Sequence, residues 1–235
     1  MDTWEDLCLR DDISYEEWVR FVFDHPALEP QWWWQEPESG NLQEWNVSAD
    51  PGRTLSFLTR LFEMPEGLIG RFTRAQIDQG LNFLVSNSCS DHMFVLLDTK
   101  VPWALRRKCF DAIIPLYAKL MARVYQDVLG HAQRGISDPE RPNFACYMWW
   151  DIIPLNGGMD HLDCNRINDA VLHVFEQVLQ LKAASCLESV LHGLGHWHLY
   201  IPERTEPIVR RFLNRTDISS QLRNYAELAA VGCVQ

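Results

Sequence analysis

Ser185-Cys-Leu-Glu-Ser-Val-Leu-His-Gly-Leu-Gly-His-Trp197 is the stretch on which the fold turns. Its apolar residues Leu187, Val190, Leu191, Leu194 and Trp197 recur at i, i+3, i+4, i+7 and i+10, the spacing of one helical face. With Leu187 at zero and 100° per residue, they fall between about 280° and about 40°. Glu188, His192 and His196 fall near about 100°, about 140° and about 180°, on the opposite side. The pattern predicts an amphipathic helix with those three residues on its polar face. Ser185 and Glu188 also have the spacing of a capping box, in which hydroxyl and carboxylate satisfy free amides. His198 falls in the apolar stripe and reads as a buried, hydrogen-bonded histidine.

The neighbouring segments follow the same period. Residues 166–181 predict a helix buried through Val171, Val174, Phe175, Val178 and Leu179, with Asp163 or Asn165 as its cap. Pro202 starts the next helix, with Ile208, Val209, Phe212 and Leu213 inward. Asp217 is placed as the cap of a last helix, with Leu222, Tyr225, Ala226 and Ala229 inward. Helix pairs starting near 166 and near 202 are offset by about 36 residues, as in stacked helical repeats.

Further upstream, Ser14-Tyr-Glu-Glu17 and Thr73-Arg-Ala-Gln76 are capping boxes that open helices. Residues 53–63 repeat Leu55, Leu58, Leu61 and Phe62. A long stripe runs from Phe110 to Val128, and Pro115 inside it should kink or split that helix. Phe144–Ile153 forms another helix, ended by Pro154. Phe94–Leu97 reads either as a short strand or as a helical turn. The expectation is an all-α fold of antiparallel helix pairs, in a chain whose 235 residues suit one domain.

The run Cys186–His196, followed by Pro202-Glu-Arg and a helix ending in Phe212-Leu213, resembles HEAT-like helical repeats. The resemblance covers residues 165–233. The stretch from Asn143-Phe-Ala-Cys-Tyr-Met-Trp-Trp-Asp-Ile-Ile153 to Cys233 is also similar to the C-terminal part of uncharacterised bacterial proteins. The resemblance implies a scaffold or binding surface and brings no enzymatic activity with it.

Charge singles out the other end of the chain. Residues 1–52 hold thirteen acids and two bases, which is the whole net charge of −11; the remaining 19 acids and 19 bases cancel. Six of the ten tryptophans lie there too. Residues 24–52 are rich in proline and glycine and read as an irregular connection. Acids crowded with aromatics suit recognition of a basic protein, and the candidate residues are Glu16, Glu17, Trp32, Trp33, Trp34, Glu36 and Glu38. The competing reading packs the tryptophans onto the helical body and leaves the acids in water.

An acidic chain is not expected to bind nucleic acid. No apolar run reaches membrane-spanning length, and the acidic start has no secretory pattern. Seven cysteines without a CxxC pair read as free thiols in a reducing cytoplasm.

Chemistry has two candidate places. His192 and His196 stand one turn apart and could share a metal, although Gly-Leu-Gly between them omits the glutamate of an H-E-x-x-H helix. Gly157-Gly-Met-Asp-His-Leu-Asp163 puts Asp160 and His161 on a glycine-led loop that could bind a cation or hold a catalytic pair, or simply turn the chain. The basic clusters Arg106-Arg-Lys108 and Arg210-Arg211 read as solvated faces. The leading expectation is a non-enzymatic cytoplasmic binding protein that needs no cofactor, with an inhibitor or immunity-type protein as one form. Against it stand a helical metal-dependent hydrolase using His192 and His196, with or without Asp160 and His161, and an oligomerisation module.

Overall fold

The computed structural model describes residues 13–34, 47–125, 127–133 and 143–234, and among them the secondary structure is helical without a named strand. The α-helices are α1 (Tyr15–Phe23), α2 (Pro51–Glu63), α3 (Arg74–Val85), α4 (Trp103–Pro115), the short α5 (Ala122–Val124), α6 (Phe144–Ile152), α7 (Cys164–Val178), α8 (Ala184–His198), α9 (Pro202–Leu213) and α10 (Ser220–Ala229). The all-α reading holds. Phe94–Leu97 lies in and just after a 3-10 turn, His92–Leu96, rather than a strand.

Two capping boxes form as the residue spacing requires. The Glu17 amide donates to the Ser14 hydroxyl at 3.3 Å, and the Ser14 amide donates to the Glu17 carboxylate at 2.9 Å. Thr73 and Gln76 do the same at the head of α3. Pro115 also acts as expected. It closes α4, and Leu116–Met121 continue as a π-helical turn, with the Ala122 amide reaching the Tyr117 carbonyl five residues back. A proline removes one amide of the ladder, and a wider turn is one way the chain absorbs that loss.

α2 packs on α4, α1 on α3, α3 on α6 and α4 on α7, while α8 is surrounded by α6, α7, α9 and α10. That encirclement overturns the amphipathic reading of α8. Every residue from Ser185 to Gly195 is buried, including Glu188 and His192. Small residues on the supposed polar face let neighbours close over it. A Cβ on Gly193 would sit 2.8 Å from Trp150 and Phe175, and one on Gly195 would sit 2.4 Å from Val234. Gly193→Ala is therefore expected to destabilise by about 1–3 kcal/mol through overpacking, more than the ~1 kcal/mol of helix propensity it gains. Urea unfolding of this variant checks it; a stabilised variant would show that the ring of Trp150 yields.

The third capping box does not form. α8 starts after Ala183 with no side-chain cap of its own, and the Asp127 carboxylate accepts the Ala184 amide instead. Glu188 turns away to the loop before α6, where it accepts the Gly130 and His131 amides at 2.6 and 3.0 Å and pairs with His131 Nδ1. At the last helix the cap is Ser219, whose hydroxyl accepts the Leu222 amide, while Asp217 is held by Arg215. Arg106 is not a solvated residue. It is 2% exposed and donates to the carbonyls of Leu96 and Val101 and to the Asp163 carboxylate. Arg107, Lys108, Arg210 and Arg211 remain at the surface.

Candidate functional site

The N-terminal aromatic face is built on α1 and α3. Trp18 is fully buried and donates from its indole nitrogen to His92 Nε2 at 2.9 Å. Beyond α1 the chain bends back, and the turn Trp32–Trp34 lands on the same platform. The Trp32 ring stacks on His25 with centroids 4.0 Å apart and meets Phe21 and Phe83 at 5.3 and 4.7 Å. His25 is itself tied down by the Phe21 carbonyl, and burial lowers its pKa first, partly offset by that hydrogen bond. Trp33 is half-buried against Phe83.

Trp34 differs from its neighbours: it is 59% exposed. Leu28 stands out in the same connection. Asp24 and Glu29 are exposed beside them. The predicted binding residues thus divide. Trp32 is packed as core, and Trp34 is presented to solvent. Glu16 is exposed and paired with Arg71 at 2.9 Å, and Glu17 carries the helix cap. Glu36 and Glu38 lie outside the described residues.

A second constellation sits between α6 and α8. His192 Nε2 lies 3.1 Å from His196 Nε2, and the Asp151 carboxylate lies 3.5 Å from His196 Nε2. All three ligand-type atoms fall within 4.8 Å of one another. His192 is buried, while the side chains of His196 and Asp151 are 33% and 38% exposed, so the cluster opens to water on one side. The other ring nitrogen of His192 is bonded to the Tyr225 hydroxyl of α10 at 2.7 Å. Tyr147 flanks the imidazole, and His131 stacks on Tyr225 at 4.3 Å. Burial, then the neighbouring His196 and His131, pushes the His192 pKa down to about 3, so the imidazole is neutral near pH 7. Neutral imidazole is the form that binds metals.

Spacing on one helix pointed to His192 and His196 but not to Asp151, which comes from another helix. One signal was available: Asp151 is the single charged residue in the apolar α6 sequence Phe-Ala-Cys-Tyr-Met-Trp-Trp-Asp-Ile. Asp160 and His161 are not part of the cluster. His161 is occupied at both ring nitrogens, donating from Nε2 to the Leu97 carbonyl at 2.8 Å and accepting the Asp163 amide at Nδ1. Asp160 is exposed. His198 is half-buried and within hydrogen-bond distance of the Thr205 hydroxyl. No helix among the described residues is long and apolar enough to cross a membrane. No known protein family, curated protein or solved structure matches the chain.

Proposed function

We propose that this chain is a non-catalytic helical scaffold that binds a basic protein through its acidic, tryptophan-bearing N-terminal segment. The observation that carries the reading is Trp34, an indole displayed to solvent on a platform made rigid by Trp32, His25 and Phe83. A large aromatic held in place loses little entropy on contact and is the residue type that dominates binding interfaces. It also belongs to the segment that holds the entire net charge, whose field speeds encounter with a cationic surface. The consecutive packing of α7 on α8, α8 on α9 and α9 on α10 supports a HEAT-like arrangement of the C-terminal helices. An inhibitor or immunity-type protein that masks a cationic effector is the specific form that fits this charge. The six cysteines among the described residues are unpaired, which favours a reducing compartment such as the cytoplasm.

The test captures partners from the source cell and then measures the purified pair against salt. Trp34→Ala is expected to weaken binding by about 30-fold, the loss typical of an aromatic anchor. Reversing Glu29, Glu36 and Glu38 to lysine is expected to slow association at low salt and to change it little at high salt. Glu16 and Glu17 are poor choices for reversal, because one pairs with Arg71 and the other caps α1. Affinity and salt dependence unchanged in both variants would remove the N-terminal face as the binding surface.

A further inference from the structure

We infer that Asp151, His192 and His196 form a site for one divalent transition-metal ion of the zinc type, held between α6 and α8. Four observations converge on it, and none involves the N-terminal face.

The first is spacing. Metal bonds of about 2.0–2.1 Å at tetrahedral angles place neighbouring ligand atoms about 3.3 Å apart. The two separations at His196 Nε2, 3.1 and 3.5 Å, bracket that value, and all three atoms lie within 4.8 Å of one another. The second is proton count. His196 Nε2 stands against both His192 Nε2 and the Asp151 carboxylate, yet it carries at most one proton. If it donates to one, the other contact has none. If His192 Nε2 carries the proton instead, the contact between His196 and Asp151 has none. At best one N–H is shared between two acceptors, whereas a cation at the meeting point would engage all three atoms.

The third observation is orientation. The Tyr225 hydroxyl holds His192 Nδ1 at 2.7 Å, and an outer hydrogen bond on the far nitrogen is how ligating histidines are commonly aimed. Tyr225 is in turn stacked on His131, which Glu188 clamps. The fourth is access. His192 is buried and fixed, while His196 and Asp151 are partly exposed, so an ion has a way in. Two imidazoles and one carboxylate suit zinc-type ions better than magnesium or calcium, which prefer sets made wholly of oxygen. Three protein ligands also leave a fourth position for water.

The experiment uses the full chain, freed of metal by chelation and then titrated with Co2+ and Zn2+. Co2+ reports through its visible absorption and Zn2+ through calorimetry. The wild type is expected to take up one equivalent, without a thiolate charge-transfer band because no cysteine is in the set. Asp151→Asn is expected to weaken binding at least tenfold, and His196→Ala to weaken it further. Both side chains are partly exposed, so these variants should fold, which near-ultraviolet circular dichroism checks. Tyr225→Phe is expected to weaken binding by about 10-fold to 100-fold while leaving the stoichiometry at one, as a positioning residue should. Zn2+ is expected to raise the melting temperature of the wild type but not of an Asp151→Asn, His196→Ala double variant. Equal affinity and equal thermal response in the wild type and the folded double variant would overturn the site, because any uptake would then come from other surface groups. The Trp34→Ala variant should bind metal like the wild type, which keeps this result independent of the proposed partner surface.

Discussion

Asp163→Ala is expected to lower the unfolding free energy by about 3 kcal/mol, the low end of the range for breaking a buried ion pair. The partner it abandons is Arg106, 2% exposed and always charged. Arg106 approaches Asp163 at 2.5 Å, with 3% and 11% of the two side chains accessible. Removing the carboxylate leaves the guanidinium charge in the interior without a counter-charge. The carbonyls of Leu96 and Val101 still accept from it, which keeps the loss from the high end. The Asp163 carboxyl is held below its ordinary pKa chiefly by its hydrogen bond to Arg106, with burial opposing. Its contribution is therefore present above about pH 4 and fades as pH falls through the lowered value. Urea unfolding at pH 7 measures the effect. A double replacement, Arg106→Met with Asp163→Leu, is expected to recover only part of the loss, because it removes the unpaired charge but leaves the buried carbonyls of Leu96 and Val101 without their donor. A loss under about 1 kcal/mol in the single variant would mean that water reaches the guanidinium.

His92 is expected to make the fold acid-sensitive. It is fully enclosed, accepts the Trp18 indole proton at 2.9 Å and meets Ser90 with its other nitrogen. Burial pushes its pKa down to about 3. The folded state therefore keeps His92 neutral where the unfolded chain, titrating near 6.5, takes up a proton. Stability from this residue is complete above about pH 6.5 and is lost on acidification down toward pH 3. Between pH 6.5 and pH 4 the cost is about 3 kcal/mol. His92→Gln keeps an acceptor for Trp18 and cannot titrate, so its stability should depend less on pH by that amount. The check is urea unfolding of both proteins at several pH values. Parallel curves for the two would show that His92 is protonated, or solvated, in the folded state.

Of these residues, the linear pattern placed Arg106 on a solvated face and did not mark His92. Arg106 sits in a run of three bases, and charge runs on helices are usually solvated. Its burial depends on a loop 57 residues away folding Asp163 onto it. His92 lies in a 3-10 turn with no period to mark its inward side, and only the arrival of α1 with Trp18 encloses it.

The sequence by itself determined the helical class, the capped starts of α1 and α3, the break at Pro115 and the apolar stripes of α7, α9 and α10. These are decided by neighbours within one or two turns, so period and cap chemistry suffice to read them. It also marked His192 and His196 as a pair, because two residues one turn apart share a face in any helix. Tertiary structure alone decided that α8 is buried on every side from Ser185 to Gly195, since period reports one apolar face and is silent about what small residues allow to cover the other. It alone brought Asp151 beside the histidines and left Asp160 and His161 outside that cluster, with their loop bonded to Leu97 and Arg106. And it alone separated Trp34 from Trp32, because adjacent residues in a tight turn point in different directions and only the platform of His25 and Phe83 fixes which one faces water.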